Sequence, residues 1–153
     1  MAECVIFVGL PGSGKTTFYR EQFAQTHAHV SKDAMPQAKD RGARQREMVQ
    51  RALKAGQSVV VDNTSPARRD RQPIIETARA CGADVIGYVF TASTREAIAR
   101  NSAREGKAQV PKVAIFTAAK RFERPLFEEG FDRLFDVRAL DNLQFDVREL
   151  PRG

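Results

Sequence analysis

The segment Gly9-Leu10-Pro11-Gly12-Ser13-Gly14-Lys15-Thr16 constrains this chain more than any other stretch. It fits G-x-x-x-x-G-K-[ST] at every fixed position and follows directly on the apolar run Cys4-Val5-Ile6-Phe7-Val8. A glycine-rich turn between a buried strand and a helix lets successive backbone N–H groups converge on an anion. The helix N-terminus adds its partial positive charge. At average glycine frequency a chance match in 153 residues is roughly a one-in-a-few-hundred event. The pattern therefore predicts a nucleoside triphosphate site, with Gly12, Ser13, Gly14 and Thr17 completing the cradle. Lys15 is expected to reach the β and γ phosphates and the Thr16 hydroxyl to ligate Mg²⁺.

The remaining sequence alternates short apolar runs with longer helical stretches, the pattern of an α/β domain with a mostly parallel sheet. Strands are expected at Glu3 to Val8, Ala28 to Ser31, Ser58 to Asp62 and Asp84 to Thr91. Helices are expected from Lys15 to about Ala24, from about Gln37 to Ala55 with Gly56 ending it, and from Ser65-Pro66 to Ala80 with Gly82 closing it. Ser93-Thr94-Arg95-Glu96 reads as a capping box opening a helix to about Ser102, and a further helix runs from Lys112 to about Phe122. Between these last two, Asn101 to Pro111 is polar, basic and contains Gly106, and reads as a mobile segment. Phe135 to Leu140 and Phe145 to Leu150 are near-repeats around Asp141-Asn142, the arrangement of a terminal hairpin.

The length fits a single domain over 1–153. No apolar run approaches the ~20 residues that span a bilayer, and Glu3 stands where a signal peptide carries basic residues. Cys4 and Cys81 are too few for a disulfide framework and belong to no metal-binding pattern, so a reducing cytoplasm is expected and both thiols read as small buried groups. The net charge of +6 favours polyanionic partners. An N-K-x-D motif and an LSGGQ-like stretch are both absent, which disfavours a GTPase and a transporter ATPase. Asp62-Asn63 replaces the Asp-Glu of motor ATPases, leaving a compact phosphotransferase.

Phosphoryl transfer needs the γ-phosphate held, its charge neutralised and the acceptor hydroxyl oriented beside a base. Ligands of open α/β sheets sit at the carboxyl ends of the strands. Asp33, just past the second strand, is a candidate base or else a helix N-cap. Asp62, after three valines, is a candidate for holding a Mg²⁺-bound water or else anchors its loop through Thr64 or nearby amides. Arg100 and Arg104, four apart, can share a helix face and close over phosphates, or can both be solvated. Lys39, Arg41, Arg44, Arg46, Arg51, Arg68, Arg69 and Arg71 either line an acceptor groove or form a solvated face. His27 and His29 read as surface residues without a role.

Taken together, Gly9 to Phe18, Ser31-Lys32-Asp33, Val61 to Pro66 and Arg100-Asn-Ser-Ala-Arg104-Glu-Gly-Lys-Ala-Gln-Val-Pro111 resemble the polynucleotide 5′-hydroxyl kinases, over about residues 4 to 138. The resemblance implies a three-layer, adenylate-kinase-like P-loop fold with a helical lid near 100–112. It also implies ATP and Mg²⁺ as donor and cofactor, a 5′-OH end of DNA or RNA as acceptor, and a place in nucleic acid repair. It assigns Asp33 as general base and Arg104 and Arg100 as lid arginines. One phage-branch arginine that holds the acceptor's phosphate corresponds here to Pro36, and Arg41 or Arg44 are the nearest substitutes. That departure keeps a small-molecule hydroxyl of a nucleoside, sugar or antibiotic as the alternative acceptor. An ATP-binding regulatory module is the alternative outside enzymes. Without the phosphatase domain that family members usually carry, removal of 3′-phosphates is not expected of this chain.

Overall fold

β1 (Glu3–Val8) is buried along all but its first residue, because it lies inside a six-stranded sheet covered on both faces. In the computed structural model, which describes residues 2–31, 40–91, 93–102, 111–140 and 144–152, β1 is joined by β2 (Ala28–Val30), β3 (Val59–Asp62), β4 (Asp84–Phe90), β5 (Arg133–Ala139) and β6 (Phe145–Glu149). Their order is β2-β3-β1-β4-β5-β6. Every pairing is parallel except that of β5 with β6, so the near-repeat forms the expected hairpin, with Val137 opposite Val147.

The period-two alternation of β1 divides the core. Cys4, Ile6 and Val8 face a cluster that includes Val49 and Leu53 of α2 (Arg41–Lys54) and Ile74, Ile75 and Ala78 of α3 (Arg68–Ala80). Val5 and Phe7 face the other way, onto Phe18 and Phe23 at α1 (Lys15–Gln22). Phe7 meets Phe18, Phe23 and Phe90 at ring-centroid distances of 5.9, 5.9 and 5.1 Å. Burial of each such ring contributes roughly 1.5–3 kcal/mol. A third cluster, Leu10, Ala97, Ile115 and Ala118, ties the glycine-rich loop to α4 (Thr94–Ser102) and α5 (Lys112–Arg121). Three layers are thus built around the strand that carries the loop.

Three expectations need correction here. α2 begins at Arg41 behind its Asp40 cap and not near Gln37. α3 begins at Arg68, not at Ser65-Pro66, and its cap is Ala67, whose N–H donates to the Asp70 carboxylate at 3.0 Å. Ser65 takes a left-handed turn at φ 43 instead, and the carbonyls of Ser65 and Pro66 accept hydrogen bonds from Arg71 Nη1 at 2.9 and 3.1 Å. Cys81 is only half-buried, because it is the C-cap of α3 at the rim of the core. Ser93, by contrast, caps as expected, its hydroxyl accepting from the Glu96 N–H at 3.1 Å. Burial pushes the Cys4 thiol up to about 12, with smaller contributions from Cys81 and Glu3. Native protein at pH 8 is therefore expected to release one equivalent of chromophore from a disulfide thiol reagent, from Cys81, and two after denaturation. Two equivalents from the native state would contradict the buried thiol.

Candidate functional site

The glycine-rich loop leaves β1 beside β3 and β4. Its first N–H, on Gly9, donates to the Thr64 carbonyl at 3.0 Å, fastening the loop to the turn after β3. Gly12 and Gly14 both take positive φ, 83 and 95. A side chain is strained there, so the backbone can curl without one. Gly14 caps α1, leaving the first N–H groups of that helix to the loop. The Ser13 hydroxyl turns inward to donate to the Leu10 carbonyl at 2.7 Å.

Lys15 is buried, 8% exposed, and its ammonium folds back over the loop to donate to the carbonyls of Gly9 (3.0 Å) and Leu10 (2.9 Å). A buried ammonium spanning the loop's concavity is a cation held where an anion would sit. One residue on, the Thr16 hydroxyl donates to Asp62 Oδ2 at 3.2 Å. Asp62 is itself buried, 6% exposed, at the carboxyl end of β3. The side chains that meet Asp62 Oδ2 are Thr16 and His29, whose Nε2 stands 2.8 Å away, in place of the loop anchor to Thr64 or nearby amides.

Among the described residues no group of three or more His, Cys, Asp or Glu side chains can hold a metal ion by itself. The Thr16 hydroxyl and the Asp62 carboxylate are nonetheless hard oxygen donors, side by side at the loop. Mg²⁺ characteristically takes one or two such protein groups and completes its shell from phosphates and water. The residues fit that ion.

α2 is aimed at this end of the sheet by a reciprocal amide pair. Gln45 Nε2 donates to Asn63 Oδ1 (3.2 Å) and Asn63 Nδ2 to Gln45 Oε1 (2.9 Å). Gln45 is 1% exposed, and Arg41, four residues earlier, shares its helix face. Arg41 and Arg44 stand exposed in the first turn, beyond the Asp40 cap; Arg44 approaches Glu47 at 3.7 Å. Arg51 also pairs with Glu47, and Arg68 with Glu128. Arg69 lines an open groove of about 600 Å³ together with Arg68, Gln72 and Arg121. Arg71 is no groove residue. It is fully buried and bidentate to Glu129, at 2.9 and 3.0 Å, because the third position after Arg68 turns inward on α3.

Asp33, Lys39, Pro36 and Arg104 lie outside the described residues, as does most of the segment near 100–112; Arg100 is described only as a position in α4. His27 and His29 have partners where none was expected. His27 Nε2 lies 2.9 Å from Glu3 Oε2, and the His29 ring stacks on Tyr19 at 4.3 Å. The signal for His29 was weak, since a histidine in a three-residue strand acquires meaning only once β2 is known to pair with β3.

Residues 4–125 match the family model described as AAA domain. The chain is 30% identical over 140 residues to the bifunctional polynucleotide phosphatase/kinase of Schizosaccharomyces pombe, an alignment covering 88% of this chain and 33% of that protein. It thus spans about a third of that relative's length. Among solved structures it resembles a sugar kinase from Janibacter sp. HTCC2649, with TM-score 0.69 and 19% identity over 89% of this chain and 86% of the other. It also resembles a fungal RNA kinase, with TM-score 0.66 and 19% identity over 90% and 38%. At these identities the structural matches establish the fold, which is that of the P-loop kinases.

Proposed function

We propose, since the chain belongs to the AAA domain family, that it transfers the γ-phosphate of ATP to a hydroxyl group, and that the acceptor is the 5′-OH end of a nucleic acid strand. The observation that carries the acceptor is the 30% identity across 88% of this chain to a protein named as a polynucleotide phosphatase/kinase. The buried Lys15 and the Thr16–Asp62 pair support the donor half. The exposed Arg41, Arg44 and Arg69 and the +6 charge support a polyanionic acceptor.

In this reading the loop amides and Lys15 bind the β and γ phosphates, the ammonium exchanging its two carbonyl partners for phosphate oxygens. The Thr16 hydroxyl and the Asp62 carboxylate would hold Mg²⁺, which when bound would supply positive charge against the phosphates. Asp33 takes the proton of the acceptor hydroxyl as the new O–P bond forms and the bond to the ADP oxygen breaks. Arg104 and Arg100 offset the charge spread over the transferring oxygens. Arg41 and Arg44 are assigned to the acceptor's phosphates.

The test is transfer of labelled γ-phosphate from ATP and Mg²⁺ to 5′-OH DNA and RNA oligonucleotides, with Asp33→Asn alongside. Label is expected on the 5′ end, and the variant is expected to lose roughly 10²–10⁴-fold in turnover with ATP affinity kept. Binding of ATP without transfer to any oligonucleotide would remove the nucleic acid acceptor and direct the assay to nucleoside and sugar hydroxyls.

A further inference from the structure

Three elements converge on Asp62, and one of them has no part in the scheme above. β2 and β3 pair in parallel with His29 opposite Val60, and Val60 belongs to the core cluster on the α1 face of the sheet. Asp62, two residues further along β3, presents its side chain to that same face, because strand side chains alternate. On α1, Thr16 and Tyr19 are three residues apart and so are neighbours on the helix surface. The helix therefore sets Thr16 above Asp62, at 3.2 Å, and Tyr19 above His29, with ring centroids 4.3 Å apart and planes 28° from parallel.

The His29 ring is fixed from more than one side. Tyr19, on which it stacks, is itself tethered, its hydroxyl donating to the His27 carbonyl at 2.6 Å. His27 in turn contacts Glu3 of β1 at 2.9 Å. Thus held, His29 Nε2 stands 2.8 Å from the same Asp62 oxygen, Oδ2, that accepts from Thr16. Two donors on Oδ2 orient the carboxylate and leave Oδ1 for a further donor. His29 keeps 32% of its side chain exposed while Asp62 keeps 5%, so the bond reaches a buried carboxylate from the protein surface.

We infer that His29 is a positioning residue, which orients the Asp62 carboxylate so that the Thr16–Asp62 pair can hold a divalent cation beside a bound nucleoside triphosphate. The inference rests on the reading of Thr16 and Asp62 as the metal-holding pair. Hydrogen-bond partners of this outer kind fix ligand orientation, and their loss typically costs 10–100-fold in metal affinity. His29 touches neither nucleotide nor acceptor in this scheme. Its removal should therefore appear in the metal dependence of binding and not in the phosphate contacts themselves.

The experiment measures ATP affinity by calorimetry across a Mg²⁺ titration and again in EDTA, for wild type, His29→Phe, Asp62→Ala and the double variant. Phenylalanine retains the stack on Tyr19 and deletes the bond. His29→Phe is expected to raise the Mg²⁺ concentration needed for half-maximal binding about tenfold, to leave affinity in EDTA unchanged, and to add nothing in the Asp62→Ala background. An unchanged Mg²⁺ requirement, an equal loss with and without metal, or a full shift without Asp62 each overturn the assignment. Should His29→Phe not fold, His29→Asn, too short to reach Asp62, carries the same comparison. A wild type that binds no ATP in either condition overturns the phosphate-loop reading and this inference with it. A wild type that binds ATP normally while His29→Phe matches it sinks His29 alone.

Discussion

Glu129→Ala is expected to lower stability by about 3–5 kcal/mol, the usual cost of breaking a buried ion pair and leaving one charge behind. Arg71 has no exposed surface and Glu129 only 4%, so water cannot readily replace the lost carboxylate. In a chain of 153 residues this corresponds to a fall in Tm of roughly 10 °C. The effect should not stop at stability. Arg71 also holds the Ser65 and Pro66 carbonyls, next to Thr64, whose carbonyl anchors Gly9. A loosened turn would release the first residue of the phosphate loop, so ATP affinity should fall with Tm. The double variant Arg71→Met with Glu129→Leu is expected to recover part of the loss, because no buried charge remains. Recovery stays incomplete because the Ser65 and Pro66 carbonyls lose a donor and the Leu126 N–H loses its acceptor on Glu129. A melting experiment decides the matter: a Tm within 3 °C of wild type for Glu129→Ala would mean that Arg71 finds another partner.

Lys15→Ala is the second large effect, and its signature is the opposite. The ammonium bridges the Gly9 and Leu10 carbonyls, and these are partners that loop amides or water can replace at modest cost. Phosphoryl transfer is expected to fall by at least roughly 10²–10³-fold, the scale for removing one preorganised group that stabilises transition-state charge. Tm should change by a few degrees at most. Single-turnover transfer beside a thermal melt separates the two variants: Glu129→Ala acts through the fold, Lys15→Ala through the chemistry. A Lys15→Ala protein that transfers phosphate at the wild-type rate would refute the role assigned to the loop.

The elements most legible in the sequence were those whose cause is local. β1 and the loop after it could be read from a continuous apolar run and a fixed glycine spacing, and the Ser93 cap from a four-residue pattern. The hairpin of β5 and β6 was visible in its two near-identical halves. Local pattern puts the start of α3 too early, because Ser65 and Pro66 are good capping residues in isolation. Their carbonyls are instead committed to Arg71 from the next turn, and Asp70 caps Ala67 from within the helix.

For the candidate site, the motif alone proposes Lys15 and Thr16, and the position after three valines proposes Asp62. What Asp62 touches could not be read, because Thr16 is 46 residues away and His29 is 33. No local pattern encodes a strand order that brings β2 beside β3. The same holds for Arg71, one arginine among many in the sequence and, among the described residues, the largest fully buried side chain. Glu129, its partner 58 residues on, falls in a short 3-10 turn with no motif of its own.

The sequence by itself thus determined that this chain carries a phosphate-binding loop on the buried strand of a mostly parallel α/β sheet. Backbone curl, helix dipole and burial are set by residues adjacent in the chain. The tertiary structure alone decided which charges face solvent and which are sequestered in pairs, and which side chain steadies Asp62. Those outcomes depend on strand register and helix rotation across the sheet, where a shift of one residue turns a side chain to the opposite face.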